Sequence, residues 1–209
     1  MWGWLKSAFA FVSNLTGKIL GKSGERALVN STCDGAIVNV DIITERLLSD
    51  QIDVNIWLTQ VRAELKNIYT QQYLLGIGGK WQLTQADYGS IGGMLGEQNK
   101  YLQKFARLIA AGDLTPGEIR RRIAMYANSC REGYARARAR AHGIPEGKIP
   151  AFPGQRCECL TSCKCNWRFE ENDKEWLLYW ELGITKTGTH CDTCSERSRK
   201  WNPYVIEKE

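Results

Sequence analysis

Between residues 50 and 142, apolar positions recur every three or four residues, the spacing of helices buried along one face. Val54, Leu58, Val61, Leu65, Ile68 and Tyr69 predict a helix from Asp50 or Asp53 to Leu75, and Gly76, Gly78 and Gly79 supply the stop. A second helix starts at Thr84, with Asp87 as the acid of its first turn. Its inner face is Ile91, Met94, Leu95, Gln98, Leu102, Phe105, Leu108 and Ile109, and it ends near Ala111-Gly112. Gly92, Gly93 and Gly96 weaken it and suggest a close approach to another helix. Thr115-Pro116-Gly117-Glu118 is a capping box with proline at the first helical position. It opens a third helix with the stripe Ile119, Ile123, Tyr126, Cys130 and Tyr134, ending before Gly143.

The pattern is weaker on both sides of this block. Trp2, Trp4, Leu5, Phe9, Phe11 and Val12 read as an aromatic arm, either amphipathic or packed on the chain's own body. Gly17 to Gly24 reads as a polar linker, and Ala36 to Val40 is apolar but too short to type. Residues 143–154 hold three of the five prolines and mark a boundary. Beyond it, Asn166–Glu170 and Trp176–Glu181 read as two strands joined at Asn172-Asp173, and Asp192 to Lys200 as a short polar helix. The expected division is an N-terminal arm and linker over 1–48, an α-helical domain over 49–142, a Pro/Gly linker over 143–154 and a metal-binding module over 155–209.

Composition changes this picture in one place. The 209 residues carry a net charge of +5, and eight basic against three acidic residues between Pro116 and Lys148 account for all of it. Arg120, Arg121, Arg122, Arg136, Arg138 and Arg140, with Arg131, therefore suggest contact with DNA or an acidic partner. Their scatter around the helix fits phosphate contact rather than base reading; the plainer reading is a solvated helix face. Tyr73, Trp81, Tyr88 and Tyr101 read as packing residues. No apolar run approaches the ~18 residues of a membrane span, and the first residues do not read as a secretory signal. Nucleotide-loop, nucleophile-elbow and metalloprotease motifs are lacking, and two histidines supply little for acid–base chemistry. A zinc-containing nuclease is therefore the weakest of the functional readings.

Six of the eight cysteines lie after residue 150, as Cys157-x-Cys159-x3-Cys163-x-Cys165 and His190-Cys191-x2-Cys194. Close thiolate pairs brought together by a hairpin are how a tetrahedral zinc is held. Cys159, Cys163, Cys191 and Cys194 are the expected ligands, with Cys165, Cys157 and His190 as alternates. The pair Cys191/Cys194 falls at a helix start, where the dipole favours thiolate. Seven potential ligands cannot fill two separate four-ligand sites, so one closed structural Zn2+ is expected, with thiols to spare. A disulfide framework is disfavoured in a cytosol. His142 reads as solvated, Cys33 and Cys130 as partnerless, and Cys130 as core. The expected fold is mainly α: a helical bundle with a small zinc-ribbon- or treble-clef-like C-terminal module containing a β-hairpin.

The order of these features resembles the tailed-phage minor head, or head-morphogenesis, proteins. The run from Tyr73 to Ala137 carries a Gly-Gly turn, an acidic-Tyr-Gly helix start, Q-x-x-Y-L-x-x-F at Gln98–Phe105, G-x-L-T-x-x-x-I at Gly112–Ile119, and an Arg-rich helix. C-L-T-S-C-K-C-N-W at Cys159–Trp167 and H-C-x-x-C at His190–Cys194 resemble that group's metal-binding tail. The likeness spans about Ile52 to Tyr204. It implies a multi-copy structural protein of the virion, assembled in the host cytoplasm, near the portal or inner capsid surface. Its partners would be portal or major capsid protein subunits, with the basic helix facing DNA or an acidic subunit, and it would aid head assembly or DNA packaging. Read from the residues alone, a cytosolic zinc-containing nucleic-acid-binding regulator is the alternative.

Overall fold

The computed structural model describes residues 11–12, 19–20, 22–78, 83–183, 185 and 188–208. Five helices form a bundle: α1 (Lys22–Leu48), α2 (Val54–Ile77), α3 (Gln85–Ala110), α4 (Pro116–Asn128) and α5 (Arg131–Ala141). The C-terminal module holds β3 (Asn166–Glu171), β4 (Glu175–Glu181), α6 (Asp192–Lys200) and β5 (Tyr204–Glu207). Two-residue strands β1 (Phe11–Val12) and β2 (Ile19–Leu20) pair antiparallel near the N-terminus. Trp2, Trp4, Leu5 and Phe9 of the expected arm, and Trp81, lie outside the described residues.

α2 is the central helix, lying against α1, α3 and α5. Its apolar stripe delivers Trp57, Val61, Leu65, Ile68 and Tyr69 to a core shared with Leu102 and Phe105 of α3 and Ile119 and Ile123 of α4. The ends are fixed by side chains. Asp53 accepts hydrogen bonds from the N–H groups of Asn55 (2.7 Å) and Ile56 (2.9 Å), and Gly78 ends α2 in the left-handed region at φ 82°. Reciprocal capping boxes, Thr84 with Asp87 and Thr115 with Glu118, open α3 and α4.

Several expectations need correction. Residues 22–48 are not a linker but a 27-residue helix. Its buried stripe is Val29, Cys33, Ala36, Val40, Thr44 and Leu47. Most of these side chains are small or polar, while Val38 and Ile42 point outward, so the apolar signal is faint although the spacing is helical. The expected third helix is two, α4 and α5, turning at Ser129-Cys130. The close helix approach is not at Gly92, Gly93 or Gly96, where a Cβ would meet nothing within 4 Å. It is at Gly76, where a Cβ would lie 2.5 Å from the Cβ of Ala137 and 2.6 Å from the carbonyl oxygen of Tyr134. Tyr73 is buried, whereas Tyr88, Tyr101 and Leu108 are exposed.

β3, β4 and β5 form an antiparallel sheet in that order, with Trp167 opposite Trp180 and Trp176 opposite Ile206. The expected hairpin stands, with a third strand added at its β4 edge. Residues 143–154 are not a free linker: Ile144, Ile149 and Phe152 are buried with Ala135 and Ala139 of α5 and with the cysteines and tryptophans of the module. α5 therefore serves two cores, packing on α2 along one face and on the module along another.

Candidate metal centre

The cysteine-rich loop folds back on itself before it enters β3. Turn hydrogen bonds run from Leu160 N–H to the Cys157 carbonyl (3.0 Å), Ser162 to Cys159 (2.9 Å) and Cys163 to Leu160 (3.1 Å). Arg156 (φ 50°) and Leu160 (φ 47°) sit in the left-handed region that non-glycine residues seldom adopt. Gly154 (φ 87°) lies against this loop, where a Cβ would come within 2.9 Å of the Leu160 carbonyl oxygen. The chain then runs out through β3 and back through β4 to α6, which begins with Cys191 as its cap.

These turns bring the Sγ atoms of Cys157, Cys159, Cys163 and Cys194 within 4.8 Å of one another. Cys163 Sγ and Cys194 Sγ are 3.7 Å apart. A tetrahedron with metal–sulfur bonds near 2.3 Å has sulfur–sulfur edges of roughly 3.8 Å, so four thiolates here could hold one ion. Three of the four expected ligands, Cys159, Cys163 and Cys194, are in this group. Cys157, an alternate, takes the place expected for Cys191. Cys191 lies alongside, its sulfur accepting the Cys194 N–H at 3.4 Å, as an N-cap does. His190 is not in the group. The signal for Cys157 was present in the sequence, but an x-spaced pair with Cys159 looked less suited to one ion than a pair two to four residues apart.

Electrostatically the site resists ionisation while no cation is bound. Burial raises Cys157, Cys159 (to about 11) and Cys194, and neighbouring thiols add to the effect. Cys165 followed by burial raises Cys163. Crowded thiolates in a poorly solvated space each oppose the next, and a bound cation reverses that preference. Behind the cysteines lies an aromatic wall. Trp167 meets Trp180 edge-on at 4.9 Å and stacks on Trp201 at 5.3 Å. Trp167 also donates to the Ala151 carbonyl at 2.8 Å. The Arg197 guanidinium covers Trp180 and Trp201 and donates to the Arg156 carbonyl at 3.1 Å, tying α6 to the cysteine loop.

The arginines expected to meet DNA are mostly occupied within the chain. Arg120 pairs with Glu45 at 2.5 Å. Arg136 pairs with Glu132 at 2.6 Å and with Glu146, and stacks over Phe152. Arg138 faces Glu25 at 3.8 Å, and Arg140 faces Asp87 at 2.6 Å. Arg131 is buried and reaches Asp34 at 3.6 Å. Arg122 lies over Phe105, and Arg121 is exposed. A periodicity reading sees charge around a helix but not the carboxylates that tertiary packing brings to it.

Asp87 and Glu25, single acids in the sequence, thus become buried anchors. Asp87 also accepts the Tyr73 hydroxyl at 2.9 Å and caps α3, while Glu25 accepts the Tyr134 hydroxyl at 2.7 Å. Burial works to raise the Asp87 carboxyl, but hydrogen bonds from Thr84 and Tyr73 and the Arg140 charge hold it below its ordinary value. His142 is not solvated. It lies 5.3 Å from the Phe169 ring, its carbonyl accepts the Trp176 indole N–H at 2.9 Å, and burial with the Arg138 charge pushes it down to about 4. Cys33 and Cys130 are not partnerless: both fully buried, their sulfurs lie 2.8 Å apart, joining α1 to the α4–α5 corner.

The chain matches no family model, no curated protein and no solved structure.

Proposed function

We propose that this chain is a non-enzymatic structural protein of a tailed-phage head, lying near the portal or the inner capsid surface and aiding head assembly or DNA packaging. Its C-terminal module is closed by structural zinc. The observation that carries the reading is the order of motifs from Ile52 to Tyr204, which resembles the minor head proteins in both the helical run and the cysteine-rich tail. The geometry is compatible with it: the buried acids Asp87 and Glu25 anchor helices. An all-thiolate donor set is soft, and zinc is the ion such closed tetrahedral sites most often select.

A zinc-containing nucleic-acid regulator is less well supported, because Arg136, Arg138 and Arg140 already face carboxylates of their own chain. Immunoblotting of purified virions and precursor heads tests the first reading. The protein is expected in one or both, in several copies, crosslinking to portal or major capsid subunits; absence from both defeats it. Steeply salt-dependent DNA binding by the free protein would instead favour the regulator, since phosphate contacts release counterions.

A further inference from the structure

The two cysteines of the bundle stand apart from the metal centre, and their surroundings hold them together. Cys33 lies within α1 and Cys130 at the corner between α4 and α5, both fully buried. On the residue before each, α2 supplies a pin. Gln72 donates to the Thr32 hydroxyl and to the Val29 carbonyl at 3.0 Å, and the Tyr69 hydroxyl meets Ser129 Oγ at 2.7 Å. On the residue after each, Asp34 and Arg131 face one another at 3.6 Å. The register of α1 against the corner is therefore fixed on both sides of the pair.

The two sulfurs are 2.8 Å apart. Non-bonded carbons settle at about 3.5–4.0 Å, and sulfur is larger. A disulfide needs about 2.05 Å between sulfurs, so less than about 1 Å remains to be closed. A cleft of about 510 Å³ reaches Asp34 and Arg131, the residues that follow the two cysteines, with room for a reagent little larger than water. Within the pair, the hydrogen bond from Cys130, helped by the Arg131 charge, outweighs burial and favours the thiolate at Cys33, whereas burial keeps Cys130 protonated.

We propose that Cys33 and Cys130 are a site of intramolecular disulfide formation, a covalent clasp between α1 and the α4–α5 corner that a peroxide closes. The Cys33 sulfur bonds to one peroxide oxygen as the O–O bond breaks, and the other oxygen leaves as hydroxide, which the proton released from Cys33 converts to water. The Cys130 sulfur then attacks the Cys33 sulfur. The S–S bond forms, the S–O bond breaks, and the hydroxyl leaves with the Cys130 proton as a second water. Two thiols lose two electrons and one peroxide gains them. The dithiol form belongs to a reducing compartment and the clasped form to an oxidising one.

Peptide mapping of the full chain tests this directly. Trypsin separates Cys33, in Ala27–Arg46, from Cys130, in Ile123–Arg131, and neither peptide holds a second cysteine. The folded chain is treated with hydrogen peroxide, capped with iodoacetamide in urea and digested without reductant. The expected result is the two peptides joined, two hydrogens lighter than their sum, and separated again by dithiothreitol. Both peptides recovered capped, under an exposure that oxidises the urea-unfolded chain, overturn the proposal, as does Cys33 recovered as a sulfinic acid with Cys130 capped. The clasp joins residues 97 apart in the chain. It should therefore raise the urea midpoint of the helical signal by roughly 1 M, with no rise in Cys33→Ala treated alike. A midpoint that falls on oxidation of the wild type but not of the variant overturns the fit of the bond to the folded bundle.

Discussion

The bundle and the module solve the same problem with different materials. The bundle buries Trp57, Leu65, Ile68, Tyr69, Leu102 and Ile123 almost completely, large side chains arrayed on helices with capped ends. The module has a short sheet whose fully buried aliphatic is Leu178, backed by three tryptophans and buried cysteines. Area removed from water is enough to order the first. The module buries fewer large aliphatics, so burial contributes less to its ordering than in the bundle. The difference teaches that one chain can hold a region ordered by large buried side chains beside one in which four close cysteines could hold a metal ion, with α5 as the element common to both.

Metal removal is the sharpest way to break this comparison. Chelation, or Cys163→Ser with Cys194→Ser, should cost the module on the order of 10 kcal/mol of folding free energy, as for structural zinc sites in small domains. Hydrogen exchange should show β3, β4 and β5 losing protection while α2 keeps it; equal loss in both regions would refute the division. Trp57→Ala is the reciprocal test. It removes a fully buried ring that meets Phe105 edge-on at 5.8 Å and donates to Thr44 at 3.1 Å. The expected cost is about 3–5 kcal/mol in the thermal unfolding of the bundle, with metal content unchanged.

Gly76→Ala sharpens the comparison at the shared element. The added methyl meets Ala137 and the Tyr134 carbonyl, so α2 and α5 must separate. A cost of about 1–3 kcal/mol is expected, typical of overpacking. Because Ala135 and Ala139 of α5 lie in the module's core, the module should loosen along with the bundle. An effect confined to the bundle would show that α5 does not couple them.

The smallest effect is acid-dependent. His142 titrates near its ordinary 6.5 when unfolded and at about 4 when folded, because burial and Arg138 disfavour its charged form while Glu171 opposes them. A depressed folded value means that the unfolded chain binds the proton first. The stability His142 contributes is therefore complete above pH 6.5 and is lost as pH falls towards about 4. Comparing thermal midpoints of the wild type and His142→Gln across this window should show a shallower acid decline in the variant. Parallel curves would remove His142 from the junction.

Much of this was legible from residue order alone. The stripe from Val54 to Tyr69, the helix start at Thr84, the capping box at Thr115, the strands flanking Asn172-Asp173 and the helix from Asp192 are all set by local spacing and end chemistry, and each stands in the structure. The convergence of distant cysteines was also readable, because paired thiols on either side of a hairpin have few other ways to be satisfied. What local pattern could not supply was which groups meet. α1 buries small and polar side chains that become core only because α2 and α4 lie against them. Cys157 rather than Cys191 joins the tightest group because the turn at Leu160 and the start of α6 set the sulfur positions. The fates of Arg136, Arg138 and Arg140 were decided by Glu132, Glu146, Glu25 and Asp87, three of them outside the helix that carries the arginines. Sequence determines the period of a helix and the chemistry of its ends, since both act within a few residues. Partners far apart along the chain are fixed only when packing closes the distance, and packing alone made Cys33 and Cys130 neighbours and His142 a buried side chain.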